Sequence, residues 1–411
     1  MKIGMLSQWY EPEPGAAAHP TAIARALAER GHDLRVLTAF PSYPTGRIHP
    51  GYRMRPRLRE RRDGIEVIRV PDVPSHDQSP LHRALSLGSF AASATANAGV
   101  LRDADAVLTY LTPATVGLAA WTLERLAGVP YVLYVQDLWP ETVTASGFVR
   151  GSHSTRVIER GLAVLLKRLY ARASGVAAIS PTMAATIAGR GSRVSPVSIP
   201  NWVDEQVFKP TPAAASGLLP AGRDWVMYAG GIGDVQALEH AVRAMSLLPS
   251  ESTAGLVLVG DGVARPRLEG LAGDLGLEDR VIFLGSRPLK DMPALMAESA
   301  AQLVSLRDLP LFRGTIPSKL QASMASGSPV VCAVAGDAAD LVRRSGCGLV
   351  VRPESPDELA AAFQRVVGLS LEERHAWAAA GRRTYADELS AAAGSARLEA
   401  VLVDAVRRRR R

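Results

Sequence analysis

Strand-like apolar runs alternate with helical patterns almost from end to end of this 411-residue chain, and the alternation halts once before it restarts. That rhythm constrains the fold more than any other feature. A strand that is apolar throughout must be covered on both faces, and a helix between successive strands supplies the cover while making the connection parallel. In the first half, strands are expected at Lys2–Ser7, Leu34–Phe40, Ile65–Val70, Ala106–Leu111, Tyr131–Asp137, Gly175–Ser180 and Val194–Pro200. In the second half they are expected at Trp225–Ala229, Gly255–Val259, Val281–Gly285, Ala301–Leu306, Pro329–Val334 and Gly348–Val351. Between the halves, residues 201–223 are rich in Pro, Ala and Gly and read as a linker. The fold class is therefore α/β. The expected domains are 1–200 and 224–385, with a closing helix and basic tail at 386–411.

Ligands of open α/β sheets bind beyond the carboxyl ends of the strands, so the turns that follow the strands carry the search for chemistry. The densest such stretch is Leu311 to Val331. Arg313 and Gly314 precede a Thr-Ile-Pro turn, Pro317 suits a first helical turn, Gly327 ends the helix and Pro329 blocks its continuation. The free N–H groups of that helix, its dipole, Arg313 and Lys319 are expected to converge on one small volume suited to an anion, a diphosphate above all. A solvated connection with two surface cations fits the same residues when they are taken alone.

Three glycine turns stand near it in the expected fold. These are Gly230-Gly231-Ile232-Gly233, Gly260-Asp261-Gly262 and Gly285-Ser286-Arg287, where missing side chains let backbone N–H groups approach a phosphate. There is no GxxxxGK[ST], and GxGxxG fails for want of a third glycine. In the first half, Gly15 turns the chain into a helix. The run Gln136-Asp137-Leu138-Trp139-Pro140-Glu141 puts Asp137 at a strand mouth, where a helix cap is its simplest alternative role.

Net charge is 47 − 40 = +7, and part of the excess lies in Arg53, Arg55, Arg57, Arg59, Arg61 and Arg62 and in the terminal arginines. Such clusters attract anionic lipid, or are a solvated loop and tail. No nucleic-acid module accompanies them, so nucleic acid is not an expected partner. Cys332 and Cys347 show no metal-ligand spacing and read as buried reduced thiols of a cytoplasmic protein. The start reads as a strand rather than a signal peptide, and no apolar run reaches the ~18 residues that span a bilayer. Leu81–Leu101 is apolar and small-residued enough to lie against a membrane or, more simply, to be buried.

A set of motifs appears in order along the chain: EPEPG at 11–15, RGHDLRVLTAFPSYPTGRIHPGY at 30–52, DLWPE at 137–141, ISPTM at 179–183, IPNWVD at 199–204, YAGGIG at 228–233, LVGDG at 258–262, FLG at 283–285 and LFRGTIPSKL at 311–320. Together they resemble the retaining glycosyltransferases of the GT-B fold, family 4, and within it the WbuB/WcaI-like branch of exopolysaccharide and O-antigen synthesis. The resemblance implies two Rossmann-like, doubly wound parallel-sheet domains facing across a cleft.

It also implies a donor site of Gly230, Gly231, Gly233, Gly260, Asp261, Ser286, Arg287, Arg313, Gly314, Lys319 and Ala322. Arg313 and Lys319 would take the leaving diphosphate, and Asp137 is the acid that would orient the acceptor and handle its proton. Glu13, Gly15, Asp137 and Glu141 would stand on the acceptor side. Neither a metal nor a cofactor is implied, because the nucleotide-sugar is a substrate. The expected donor is a UDP-sugar. The expected acceptor is a saccharide, in one form linked to polyprenyl diphosphate at the inner face of the plasma membrane.

Two positions depart from the family pattern. Ala322 stands where a glutamate usually grips the ribose hydroxyls, a loss of roughly 1–3 kcal/mol if its partners go unpaired. Gln321 beside it points about 100° away around the helix. Gln236 stands where many members carry a phosphate-binding lysine. The rival readings are a transferase acting on a soluble metabolite, a GT-B scaffold weakened at Ala322, and a GT-B sugar-nucleotide epimerase. The paired carboxylates of glycoside hydrolases find no second acid at a defensible distance.

Overall fold

The computed structural model describes residues 1–74, 80–139, 153–212 and 217–410. These form two compact units, Met1–Ile199 with Gly394–Arg411, and Pro200–Ala393.

In the first unit, β1 (Lys2–Leu6), β2 (Asp33–Ala39), β3 (Leu58–Arg62), β4 (Ile65–Val70), β5 (Ala106–Leu111), β6 (Tyr131–Val135), β7 (Gly175–Ala178) and β8 (Val197–Ser198) make one sheet in the order β3-β4-β2-β1-β5-β6-β7-β8. At its centre Ile3 is in register with Leu34 on one side and Ala106 on the other. Helices α1 (His19–Glu29), α2 (Pro80–Asn97), α3 (Gly117–Ala127), α4 (His153–Arg172) and α5 (Pro181–Gly189) accompany it. Strand residues Leu37, Ile68, Leu111 and Leu133 pack with Phe90 of α2, Leu123 of α3 and Leu169 of α4. The apolar α2 thus spends Phe90, Ala91 and Ala94 on the core.

The arginine cluster is only partly the loop that its composition suggests. Leu58–Arg62 is an antiparallel edge strand on β4, so the sheet is mixed. Arg59 and Arg61 point outward, while Glu60 between them accepts from the Nε of the fully buried Arg69 at 2.7 Å. Alternating side chains let one strand carry surface cations and still anchor the interior.

The second unit holds β9 (Asp224–Ala229), β10 (Ala254–Val259), β11 (Val281–Gly285), β12 (Ala301–Ser305), β13 (Val330–Ala333) and β14 (Gly348–Val350), in the order β11-β10-β9-β12-β13-β14 and parallel throughout. Its helices are α6 (Leu238–Ser246), α7 (Arg265–Asp274), α8 (Met292–Glu298), α9 (Ser318–Ser326), α10 (Asp337–Ser345), α11 (Pro356–Val367) and α12 (Leu371–Thr384). The last helix, α13 (Ala391–Arg410), lies largely in the first unit. There Glu399 accepts from Arg30 Nε at 2.7 Å and meets His32 Nε2 at 2.9 Å. The two cysteines are buried and free.

The segment that its composition marks as a linker is built into the second unit where it is described. Trp202 is buried, Val203 and Phe208 pack on the cores, and Trp225 Nε1 donates to Pro220 O at 2.9 Å. Composition registered the prolines and glycines. The large apolar residues between them supply the burial that holds the segment down.

Candidate active site

In the second unit three turns emerge from the carboxyl ends of β9, β10 and β11. The β9 and β10 turns pack backbone against backbone. A Cβ on Gly260 (φ +136°) would lie 1.9 Å from Gly230 O, and one on Gly262 (φ +157°) 2.4 Å from Ile232 O. Hydrogen bonds complete the weave, from Gly230 N to Val259 O, from Ile232 N to Asp261 O and from Gly260 N to Gly285 O, each 2.9 Å. Gly233 N is taken by Gln236 Oε1 at 3.0 Å.

This corrects the sequence-based expectation. Most of these glycines bring two turns together, and most of their N–H groups are already spent. Gly231 is the exception: a Cβ there meets open space, and its N–H has no partner among the described residues. Gln236 caps its own turn.

Lys319, in the first turn of α9, reaches this same place. Its Nζ lies 2.7 Å from Tyr228 Oη and 3.9 Å from the Tyr228 ring centroid, and a Cβ on Gly230 would come within 3.4 Å of it. The phenol in turn donates to Gly231 O at 2.7 Å. Burial pushes the ammonium down to about 7, and no carboxylate among the described residues repays its lost hydration. Pro317 caps α9 rather than entering it, with ψ at 140°, and Gly327 closes the helix in the left-handed conformation.

Arg313 does not join Lys319. It is exposed and pairs with Asp308 at 3.2 Å, while its carbonyl packs against Gly336. Gly314 is buried at the end of the same 3-10 turn. Asp261 is exposed and accepts from Gly262 N at 2.8 Å, and Ser286 and Arg287 stand exposed directly after β11.

Ala322 is buried among Trp225, Met227, Val257 and Leu295. Gln321 donates to Asn201 O at 2.6 Å, so it ties α9 to the chain entering the unit and does not stand in for the absent glutamate.

In the first unit Asp137 follows β6 and accepts from Thr112 Oγ1 at 2.6 Å. Burial raises its pKa and the Thr112 hydrogen bond opposes the rise. His19 opens α1 with its ring centroid 6.0 Å from that of Tyr110, whose own pKa is raised by burial and then by Asp137. Desolvation lowers His19 to about 4, which leaves the imidazole neutral at physiological pH.

Glu13 is buried and its carboxylate is occupied: Oε1 accepts from Ser42 N at 2.8 Å and Tyr43 N at 2.9 Å, and Oε2 from Tyr10 N at 3.2 Å. It clamps two loops rather than presenting an empty carboxylate. Gly15 is exposed in the left-handed conformation at the start of the turn into α1. Glu141 lies outside the described residues.

Tyr228, Thr112 and His19 are not among the residues expected from the sequence. Tyr228 had a signal, since a tyrosine inside a buried strand must find a partner for its hydroxyl. Thr112 and His19 had none, because each matters through a residue distant in the chain.

Two units of doubly wound sheet, one with an amine over glycine turns and one with a desolvated carboxylate at a strand mouth, have the architecture of GT-B glycosyltransferases. The family model for glycosyl transferases group 1 matches residues 213–384, and that for the glycosyl transferase 4-like domain matches 14–202. The chain is 26% identical to the putative colanic acid biosynthesis glycosyl transferase WcaI of Escherichia coli, over 89% of this chain and 92% of that one. It is also 26% identical to the 2-deoxystreptamine glucosyltransferase of Streptomyces kanamyceticus, over 84% and 87%. Its fold matches that of Anabaena HepE in complex with UDP at a TM-score of 0.70 and 20% identity, covering 98% of this chain and all of that one (100%). The chain belongs to the family 4 glycosyltransferases of the GT-B fold. No helix among the described residues is long and apolar enough to cross a membrane.

Proposed function

We propose that the protein is a retaining, metal-independent hexosyltransferase that moves a sugar from a UDP-sugar to a hydroxyl of a polyprenyl-diphosphate-linked saccharide in exopolysaccharide synthesis. The observation that carries the donor half is the Lys319 amine, desolvated and without a carboxylate partner among the described residues, beside the open N–H of Gly231. An amine held this way costs stability until an anion arrives, and a diphosphate leaving group supplies that anion. Arg313 exchanges Asp308 for the same diphosphate.

As the bond between the anomeric carbon and the diphosphate oxygen breaks, the acceptor hydroxyl attacks from the face that the leaving group vacates, and its proton passes toward the departing phosphate oxygens. Asp137, held by Thr112, orients the acceptor hydroxyl. Burial raises its pKa, which makes it a stronger hydrogen-bond acceptor for that hydroxyl while the proton itself leaves on the phosphate.

The likeness to WcaI supports an exopolysaccharide acceptor, and the exposed arginines of β3 and the preceding loop support contact with anionic lipid at the cytoplasmic face of the membrane. The likeness to 2-deoxystreptamine glucosyltransferase favours a second reading, transfer to a soluble metabolite.

One experiment separates these readings. The purified chain is incubated with UDP-, GDP- and dTDP-sugars and either a short-chain polyprenyl-diphosphate saccharide or a soluble aminocyclitol, with and without EDTA, and the product anomer is assigned by NMR. Retention, EDTA-insensitivity and a lipid-linked product are expected. An inverted anomer or a loss of turnover in EDTA overturns the mechanism, and a product on the aminocyclitol alone replaces the acceptor.

A further inference from the structure

The cations around the second unit's turns do not share one arrangement. Arg265 is paired with Glu269 at 2.7 Å, Arg267 with Asp234 at 3.0 Å, Arg307 with Glu239 at 2.8 Å and Arg313 with Asp308 at 3.2 Å. Lys319 has no carboxylate within 4.0 Å among the described residues, and the group that meets it is a phenol. That phenol belongs to Tyr228, the residue next to last in β9, fully buried as a side chain and one step from the glycine turn.

Its hydroxyl hydrogen is committed to Gly231 O, so its oxygen lone pair is what faces the Lys319 amine. One side chain thereby fixes two things. It aims the amine along the face of its ring, where a cation is attracted by the ring electrons. It also holds the Gly231 carbonyl, and so fixes the turn in which the Gly231 N–H is the one without a partner among the described residues.

We infer that Tyr228 is a positioning residue of the donor site, which holds the Lys319 amine and the Gly231 peptide in register for a nucleoside diphosphate while supplying no counter-charge of its own. The inference rests on the donor site proposed above and adds to it the residue that organises it. Because the phenol is neutral and the amine is desolvated, the diphosphate is the first full negative charge that Lys319 meets, and its binding draws a proton onto the amine.

Other groups near α9 are engaged elsewhere. Asp261 and Asp308 face Arg265 and Arg313, Glu388 faces Arg344, and Arg382 of α12 lies against Gly327 at the far end of α9. Among the described residues, Tyr228 is the titratable group in hydrogen-bond contact with the Lys319 amine.

The test is calorimetry of UDP binding to the full chain between pH 5 and 9, a range that brackets the folded Lys319 value of about 7, in buffers of different ionisation enthalpy, with the ionisation of UDP itself read from Lys319→Met. Wild type, Tyr228→Phe and Lys319→Met are compared, with thermal unfolding of each as the control for folding. The wild type is expected to take up close to one proton per UDP at the upper end of this range and to lose affinity steeply as pH rises. Lys319→Met should bind weakly and show only the pH dependence of UDP's own ionisation.

Tyr228→Phe keeps the ring but removes the acceptor oxygen. It should weaken UDP about tenfold and move the onset of the affinity loss to lower pH, because the charged amine has lost a hydrogen bond. A purely structural role for Tyr228 would lower affinity equally at every pH, and that result overturns the inference while leaving the donor site intact. Wild type that binds neither UDP nor GDP overturns the donor site itself.

Discussion

The two candidate sites share a topology and differ in the charge they prepare. Beyond the carboxyl ends of the second sheet a lysine is partly desolvated and has no carboxylate partner among the described residues. Beyond those of the first sheet an aspartate and a histidine are partly desolvated too. Burial shifts all three in the direction that favours the neutral form. The consequence differs because the ligands differ. An uncompensated amine gains most from a diphosphate, whereas a neutral imidazole and a reluctant carboxylate suit hydroxyl groups, which need oriented donors and acceptors more than charge.

The largest break in this comparison is expected from Lys319→Met. Transfer should fall by about 10²–10³-fold, the scale of losing one stabiliser of developing negative charge. The protein should nevertheless become more stable. Since the folded amine titrates near 7 and the unfolded one near the ordinary lysine value of 10.5, the unfolded chain binds the extra proton between these values, and stability is lost as pH falls from 10.5 through 7. Removing the amine should recover on the order of 2 to 4 kcal/mol at pH 7, read as a higher Tm. A variant with full turnover would sink the role given to Lys319.

Asp137→Asn should lower kcat by about 10²-fold or more with no loss of Tm, because the raised carboxylate is disfavoured in the folded state above its pKa. Thr112→Ala should act in the same direction and more weakly, and the two should be non-additive in a double-mutant cycle. Additive losses would show that the 2.6 Å contact between them carries no coupling.

His19 sharpens the comparison through pH. Its folded pKa of about 4 lies below the unfolded value near 6.5, so stability is present above 6.5 and lost as pH falls toward 4, by on the order of 2 kcal/mol. In His19→Phe this part of the acid denaturation curve should flatten. An unchanged curve would place the acid sensitivity elsewhere, and not at Asp72, whose pKa burial raises to about 6 so that the folded state gains stability as pH falls through that value.

The smallest expected effect on function is that of Ala322→Glu. The family pattern suggests a gain in nucleotide affinity, but the methyl group sits among Trp225, Met227 and Leu295, so the carboxylate should lower Tm without tightening UDP. Tighter binding by calorimetry would show that the new side chain escapes the core and reaches the ribose.

Nearly every strand and helix was legible in the chain, because parallel strands buried on both faces read as apolar runs and glycine or proline punctuates their ends. The strand at Leu58–Arg62 escaped, since arginines fill its outward positions and an edge strand has only one face to bury. The segment after Pro200 was misread for a related reason: composition detects Pro and Gly, whereas Trp202 and Phe208 decide whether a segment is held.

The sequence by itself determined the two alternating halves, the turns where chemistry collects, and the lysine, glycines and aspartate within them. Local residue type, periodicity and punctuation are sufficient for those. Only the tertiary structure decided which of these groups meet. It set Lys319 on Tyr228 and Arg313 on Asp308, closed the carboxylate of Glu13 over two loops, and spent all but one of the N–H groups of the Gly230–Gly233 turn inside the turns. The pairings of Lys319 with Tyr228 and of Glu13 with Ser42 and Tyr43 depend on distances between residues tens of positions apart, and burial, which sets every pKa shift described above, exists only once those distances have closed.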